Sequence, residues 1–236
     1  MSENIKKITK AFKVDLDSRE NQSIILKPST RPFNNQAYQV NEVPAKIAEK
    51  IYRLIEGAKH SNDDTILNHN KIKEAFFSPF KPQLKSAQVF LSHSHADKNK
   101  ALKVKNYLES RTKHKVFVDS LFWDYKDNVL NELAKYDDTS KIKDAFTLIL
   151  RESLQDMIEK YPYFVFLQSN NSVSNQGLSR TTYSAWIYEE LKIAHSIRES
   201  RLTPMTESWQ VFHNISPFLE SLETITLKKL SRIINS

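Results

Sequence analysis

Apolar positions along this chain of 236 residues gather into three short unbroken runs, each stopping at small polar or acidic residues. The first is Val89-Phe90-Leu91, preceded by Ala87 and followed by Ser92-His93-Ser94-His95-Ala96-Asp97. The second, Lys115-Val116-Phe117-Val118, ends on Asp119, and the third, Tyr163-Phe164-Val165-Phe166-Leu167, opens into Gln168-Ser169-Asn170-Asn171-Ser172. Runs of this length without polar alternation are what strands buried on both faces of a parallel sheet require. Between them the spacing switches to a helical period. Residues 98–110 carry Ala101, Leu102, Val104, Tyr107 and Leu108; residues 142–161 carry Phe146, Ile149, Leu150, Leu154, Met157 and Ile158. Further helices are expected near 129–136, 183–196 and 226–234, a loop over Leu121-Phe122-Trp123, and a fourth strand over 207–215. Strand–helix alternation of this kind predicts an α/β fold with a mostly parallel, doubly wound sheet. Ligand crevices in such sheets lie at the carboxyl ends of the strands, where the polar tail Ser92–Asp97 falls. Asp97, just ahead of a helix, is also placed to cap it.

The pattern is weaker before residue 87. Residues 43–58 read as a helix, with Ile47, Ile51, Leu54 and Ile55 on one face, Pro44 at its opening turn and Gly57 near its end. Asp63-Asp64 opens a second expected helix using Ile66, Leu67, Ile72, Ala75 and Phe76, which Ser78-Pro79-Phe80-Lys81-Pro82 terminates. Ile24-Ile25-Leu26 reads as a short strand inside an irregular arm containing Pro28, Pro32 and Phe33-Asn34-Asn35-Gln36. The expected division is a partly helical extension over 1–86 and an α/β domain over 87–236.

Composition narrows the chemistry. Cysteine is absent, which excludes disulfides, thiol catalysis and Cys-ligated zinc and fits a reducing cytoplasm. Glycine occurs only at Gly57 and Gly177, so no Gly-rich phosphate loop of the Walker or dinucleotide kind exists. No apolar run approaches the length of a membrane span, and the first residues lack the apolar region of a secretory signal. The net charge of +7 is uneven, with 15 Lys/Arg against 10 Asp/Glu over 1–86 and 20 against 18 thereafter. The lysines are scattered among acids without an aromatic-basic stripe, so a mildly basic solvated surface is expected and a nucleic-acid face is not.

Three segments read together: VFLSHSHAD (89–97), KVFVD (115–119), and FVFLQSNNSVS followed by SAWIYEELKIA (164–174 and 184–194). In order and spacing this set resembles the Toll/interleukin-1 receptor (TIR) domain, particularly the bacterial TIR proteins of Thoeris-type antiphage defence. The family pattern is a strand ending in a Ser-rich loop, a second strand ending in an acid, and a later Ser-x-Trp-x-x-x-Glu helix. The resemblance covers residues 87–236. It implies a flavodoxin-like fold and, in the catalytic branch, cleavage of the nicotinamide–ribose bond of NAD, which is substrate rather than cofactor. It further implies a homo-oligomer formed through TIR surfaces and a separate effector activated by the product. The glutamate it makes essential is Glu190, four residues after Trp186. The substrate-binding set is Leu91, Ser92, His93, Ser94, His95, Asp119, Trp123 and Trp186. Many TIR domains carry a glycine in the loop after the second strand, and residues 120–127 have none.

The chemistry is reasonable on its own terms. Glycosidic cleavage through an oxocarbenium-like transition state needs negative charge near the sugar and anchors for its hydroxyls. Trp186 shares a helical face with Glu190 and could stack on a flat ring, or simply belong to the core. Glu189, adjacent to Glu190, points about 100° away; a solvated Glu189-Glu190 surface pair is the plain alternative. His93 and His95 at i, i+2 in a loop, with no third ligand, do not make a zinc site. Ser92 lacks a nucleophile-elbow glycine pattern. Asp119 reads as a loop anchor or a pocket wall, and Phe122 and Trp123 as assembly surface or core. Two other functions stay open: a non-catalytic TIR-type interaction module, and another N-glycoside-cleaving enzyme resembling nucleoside deoxyribosyltransferases.

Overall fold

β1 (Lys10–Asp15), β4 (Ala87–His93), β5 (Lys115–Val118), β6 (Tyr163–Gln168) and β10 (Glu223–Thr224) form the central sheet, ordered β10-β1-β6-β4-β5. Every neighbouring pair is parallel. The computed structural model describes residues 10–27, 42–57, 59–61, 64–66, 69–80, 85–136, 140–176, 179–196 and 213–236. By contacts the chain forms two interleaved units, one of residues 1–33, 86–120 and 155–236, the other of 34–85 and 121–154. The protein is α/β, with a mostly parallel sheet flanked by helices, as its apolar runs predict.

The three runs become β4, β5 and β6. Val89, Phe90 and Leu91 are fully buried, as are Phe164, Val165, Phe166 and Leu167. Phe90 is the centre of the sheet's aromatic core: its ring stacks on Phe164 at 5.9 Å and lies 5.7 Å from Phe117 and 6.4 Å from Tyr161. Strands β5, β4 and β6 stand in the 2-1-3 order that begins a flavodoxin-like sheet. The next position is filled by the N-terminal β1 instead of a later strand.

That strand moves the expected boundary at residue 86, because β1 pairs with β6 along its whole length, from Lys10 opposite Tyr163 to Asp15 opposite Gln168. Its apolar run is broken by Lys13, which hides it from a pattern reading. The fold tolerates Lys13 because its Nζ donates to the Leu219 carbonyl at 2.7 Å. Burial and the charge of Arg180 lower its pKa, with Glu220 opposing. The short strand expected at Ile24–Leu26 is the end of helix α1 (Arg19–Ile25), capped where the Ser18 hydroxyl accepts from the Asn21 amide. Ile25 is buried while Leu26 is 71% exposed. Asn21 joins three elements: its Nδ2 donates to Asp15 O at 2.7 Å, and its Oδ1 accepts from the Leu227 amide at 2.9 Å.

Helices α4 (Lys98–Arg111), α7 (Ala185–Ser196) and α9 (Leu227–Asn235) fall where expected. The part of the expected fourth strand at 207–212, like the arm at 28–36, lies outside the described residues. His213–Asn214 (β9) joins β7 (Ser174–Gln176) and β8 (Ser179–Thr182) in a separate antiparallel sheet, not the central one. A short helix α8 (Ser216–Ser221) follows.

The second unit contains α2 (Glu42–Glu56), a hairpin of β2 (Lys59–Ser61) and β3 (Asp64–Ile66), α3 (His69–Phe77), α5 (Ser120–Leu133) and α6 (Ser140–Lys160) as far as Leu154. The hairpin stands where a helix from Asp63-Asp64 is expected; β-branched Thr65 and Ile66 favour extended backbone, and α3 begins only at His69. Likewise no loop separates Asp119 from the next helix. Helix α5 begins at Ser120, and its buried Tyr125, Val129 and Leu133, four apart, form one apolar stripe. Phe76 centres this core, 5.1 Å from the Tyr125 ring and 5.8 Å from Phe146. The Tyr125 hydroxyl donates to the Phe76 carbonyl at 3.2 Å. Among the described residues no helix is long and apolar enough to cross a membrane.

Candidate active site

From β4 the chain proceeds to β5 on one side and then to β6 on the other, so the carboxyl ends of β4 and β6 flank a topological switch point. Ser92 and His93 end β4, Asp119 and Ser120 follow β5, and α7 brings Glu190 against them. Glu190 and Ser92 are fully buried; Ser120 is 1% exposed, His93 3% and Asp119 4%.

The Ser92 hydroxyl donates to Glu190 Oε2. Asp119 is held by its backbone amide, which donates to Leu91 O at 3.4 Å. Its Oδ1 lies 2.5 Å from His93 Nδ1. Burial raises the Glu190 pKa well above the ordinary 4.5, and the charge of Asp119 raises it further. The Ser92 hydrogen bond pulls the other way, while hydrogen bonding with Asp119 adds to the rise. Among the described residues Glu190 Oε1, His93 Nε2 and Ser120 Oγ have no hydrogen-bond partner. A buried polar atom left unmatched costs about 1–3 kcal/mol. Each of these atoms is one that a polar partner would satisfy.

Beside this cluster Asp97 ties β4 to β6. Its Oδ2 accepts from Ser169 Oγ, its Oδ1 accepts from Asn171 Nδ2 at 3.0 Å, and Lys100 Nζ lies 3.2 Å away. Asp97 holds the N-cap position of α4 without a side-chain capping bond, so its expected capping role is replaced by this bridge.

Of the residues singled out from sequence, Ser92, His93, Asp119 and Glu190 come together. Leu91 is a core residue whose side chain alternates to the pleat face opposite Ser92. Ser94 is half-buried at the start of a single 3-10 turn, His95–Asp97, and His95 is exposed. Trp186 is half-buried one helical turn before Glu190. The Trp123 side chain lies outside the described residues. A solvated Glu189-Glu190 pair is ruled out, because Glu189 is 5% exposed, with Lys192 Nζ 3.9 Å away. Ser120, Ser169 and Asn171 were not singled out as site residues. Each follows an apolar run at a strand terminus, which is the signal that could have found them. Among the described residues no group of three or more His, Cys, Asp or Glu is arranged to hold a metal ion. No protein-family model, no curated protein and no solved structure matches this chain.

Proposed function

We propose that this protein is a TIR-type enzyme that cleaves the nicotinamide–ribosyl bond of NAD, with Glu190 as its catalytic carboxylate. The observation that carries the reading is the buried meeting of Glu190, Ser92 and Asp119 at the switch point of a parallel sheet. In the reaction the C1′–N bond breaks and its electron pair leaves with nicotinamide, which departs neutral. The ribosyl group is left as an oxocarbenium-like cation. Glu190 and Asp119 place negative charge beside that cation, and the cationic nicotinamide ring of bound NAD favours the ionised form of Glu190. Ser92 holds one carboxylate oxygen, leaving Oε1 for a ribose hydroxyl. Capture by water gives ADP-ribose with loss of a proton; capture by a nitrogen of the adenine, also with loss of a proton, gives cyclic ADP-ribose, which lacks the elements of water. Either product suits a signalling nucleotide read by a separate effector in antiphage defence, and assembly of like chains is part of the same reading.

A second reading in the same reaction class takes a smaller N-glycoside, such as a nucleoside, for which the same buried carboxylate and serine would serve. The test incubates the protein, assembled and supplied with its trigger, with NAD and separately with nucleosides, followed by chromatography. Nicotinamide release is the expected result. Nucleoside consumption with NAD intact selects the second reading. Both substrates unchanged would leave a TIR-type interaction module, for which no carboxylate is needed.

A further inference from the structure

A concave site lies among α1, α4 and α9, a groove of about 840 Å³ that shares no residue with the carboxylate cluster. Each helix turns one stripe of its surface into it. From α9 come Lys228, Ser231, Arg232 and Asn235; from α4, Lys103, Asn106, Tyr107, Ser110 and Arg111. These positions recur at intervals of three and four, the spacing of one helical face. Lys27, just past α1, adds a fifth cation, and Glu20 is the one acidic residue in the lining. Leu227, Leu230 and Ile234 are buried on the apolar side of α9 while Lys228 and Arg232 are exposed, so the packing leaves its cations facing outward.

Two features distinguish this groove from a scatter of solvated lysines. None of Lys27, Lys103, Arg111, Lys228 and Arg232 forms an ion pair among the described residues. In the groove wall, the Nδ2 of Asn106 is buried with no hydrogen-bond partner there. Five cations around one concavity repel each other, a cost that a bound anion would remove. The Asn106 amide is a donor waiting for an oxygen acceptor. Tyr107, with the Arg111 guanidinium 5.9 Å from its ring centre, adds a flat apolar surface. The volume is that of a small-ligand site.

We propose that this groove binds a small, multiply phosphorylated anion, with Lys103, Arg111, Lys228 and Arg232 on its phosphate oxygens and Asn106 donating to one of them. The site is independent of the NAD reading and would stand if that reading failed.

Calorimetric titration of the full chain with inorganic tripolyphosphate, ATP and adenosine tests it. Tripolyphosphate and ATP are expected to bind with one-to-one stoichiometry and to compete, and adenosine is expected not to bind. Tighter binding of ATP than of tripolyphosphate assigns the ligand to nucleotides; equal binding assigns it to polyphosphate alone. Lys103→Glu with Arg232→Glu is expected to weaken tripolyphosphate at least tenfold with the circular dichroism spectrum unchanged. Lys115→Glu, a charge reversal outside the groove, is expected to leave it within twofold, and Glu190→Gln to leave it intact. Equal loss in Lys115→Glu, loss in Glu190→Gln, or no binding at all overturns the proposal. So does a single-stranded oligonucleotide that displaces tripolyphosphate with affinity rising steadily with its length.

Discussion

The carboxylate cluster and the basic groove belong to the same structural unit yet handle charge in opposite ways. In the cluster, Glu190 and Asp119 are almost completely removed from water, and Glu190 is adjusted by its immediate neighbours Ser92 and Asp119. In the groove the cations stand exposed or half-buried and are spread over two helices, α4 and α9, and the turn after α1. Burial makes a single charge expensive and therefore tunable by one hydrogen bond; exposure makes each charge weak, so that binding needs several together. The first arrangement suits control of one proton or one bond. The second suits attraction of a polyanion.

The largest effect that sharpens this contrast is on stability. Glu190 has a folded-state pKa above its unfolded value, so the folded chain keeps its proton after the unfolded chain has released one. The contribution of this group is therefore fully present below the ordinary pKa of 4.5 and is lost as pH rises towards the folded value. Urea unfolding at intervals from acid to neutral pH should show the Glu190→Gln variant gaining steadily on the wild type as pH rises through that window. Parallel curves for the two proteins would mean that Glu190 is solvated in solution.

Next in size is Asn21, which links α1, the end of β1 and the first turn of α9. Asn21→Ala should cost about 1–3 kcal/mol, since it leaves the Leu227 amide and Asp15 carbonyl without their partner. The same change loosens one wall of the basic groove. It is expected to weaken tripolyphosphate binding while nicotinamide release, normalised to folded protein, stays the same. Loss of both activities together would contradict the separation of the two sites.

A finer test works inside the cluster. The proposed reaction uses Glu190 ionised, so nicotinamide release should rise with pH through its raised ionisation. Ser92→Ala removes the hydrogen bond that lowers this pKa and should move the rising limb to higher pH. Asp119→Asn removes the charge that raises it and should move the limb lower. Movement of both variants in the same direction would break the assignment. Smallest is the salt response: from about 0.05 to 0.5 M salt, tripolyphosphate binding should weaken severalfold, whereas the pH limb of the buried cluster should shift little.

How much of this was readable from sequence depends on whether one segment carries its own signal. QVFLSHSHAD, KVFVD and YFVFLQ become β4, β5 and β6 because strands buried on both faces need uninterrupted apolar runs. Glu190 stood out only through the resemblance of Ser184-x-Trp186-x-x-x-Glu190 to the TIR helix pattern, and Asp119 from its place after an apolar run. β1 was not, because Lys13 interrupts KAFKVD and its acceptor, the Leu219 carbonyl, lies 206 residues away in the chain. β10 is two residues long, too short for any period. The start of α5 was missed because Leu121-Phe122-Trp123 has no helical period of its own; the stripe that organises it begins at Tyr125. The groove is a property of three helices at once, so none of its stripes is conspicuous alone. The charge balance of +7, spread over the chain, pointed to a diffuse surface where the fold gathers five cations around one concavity.

The most direct test of the central claim is single-turnover release of nicotinamide from NAD, comparing the wild type with Glu190→Gln under the same assembled and triggered conditions. Gln keeps the size and one acceptor oxygen but carries no negative charge. The account predicts a fall of roughly 10²–10³-fold in the release rate with the fold intact. Release at the wild-type rate by a folded Glu190→Gln protein would contradict it.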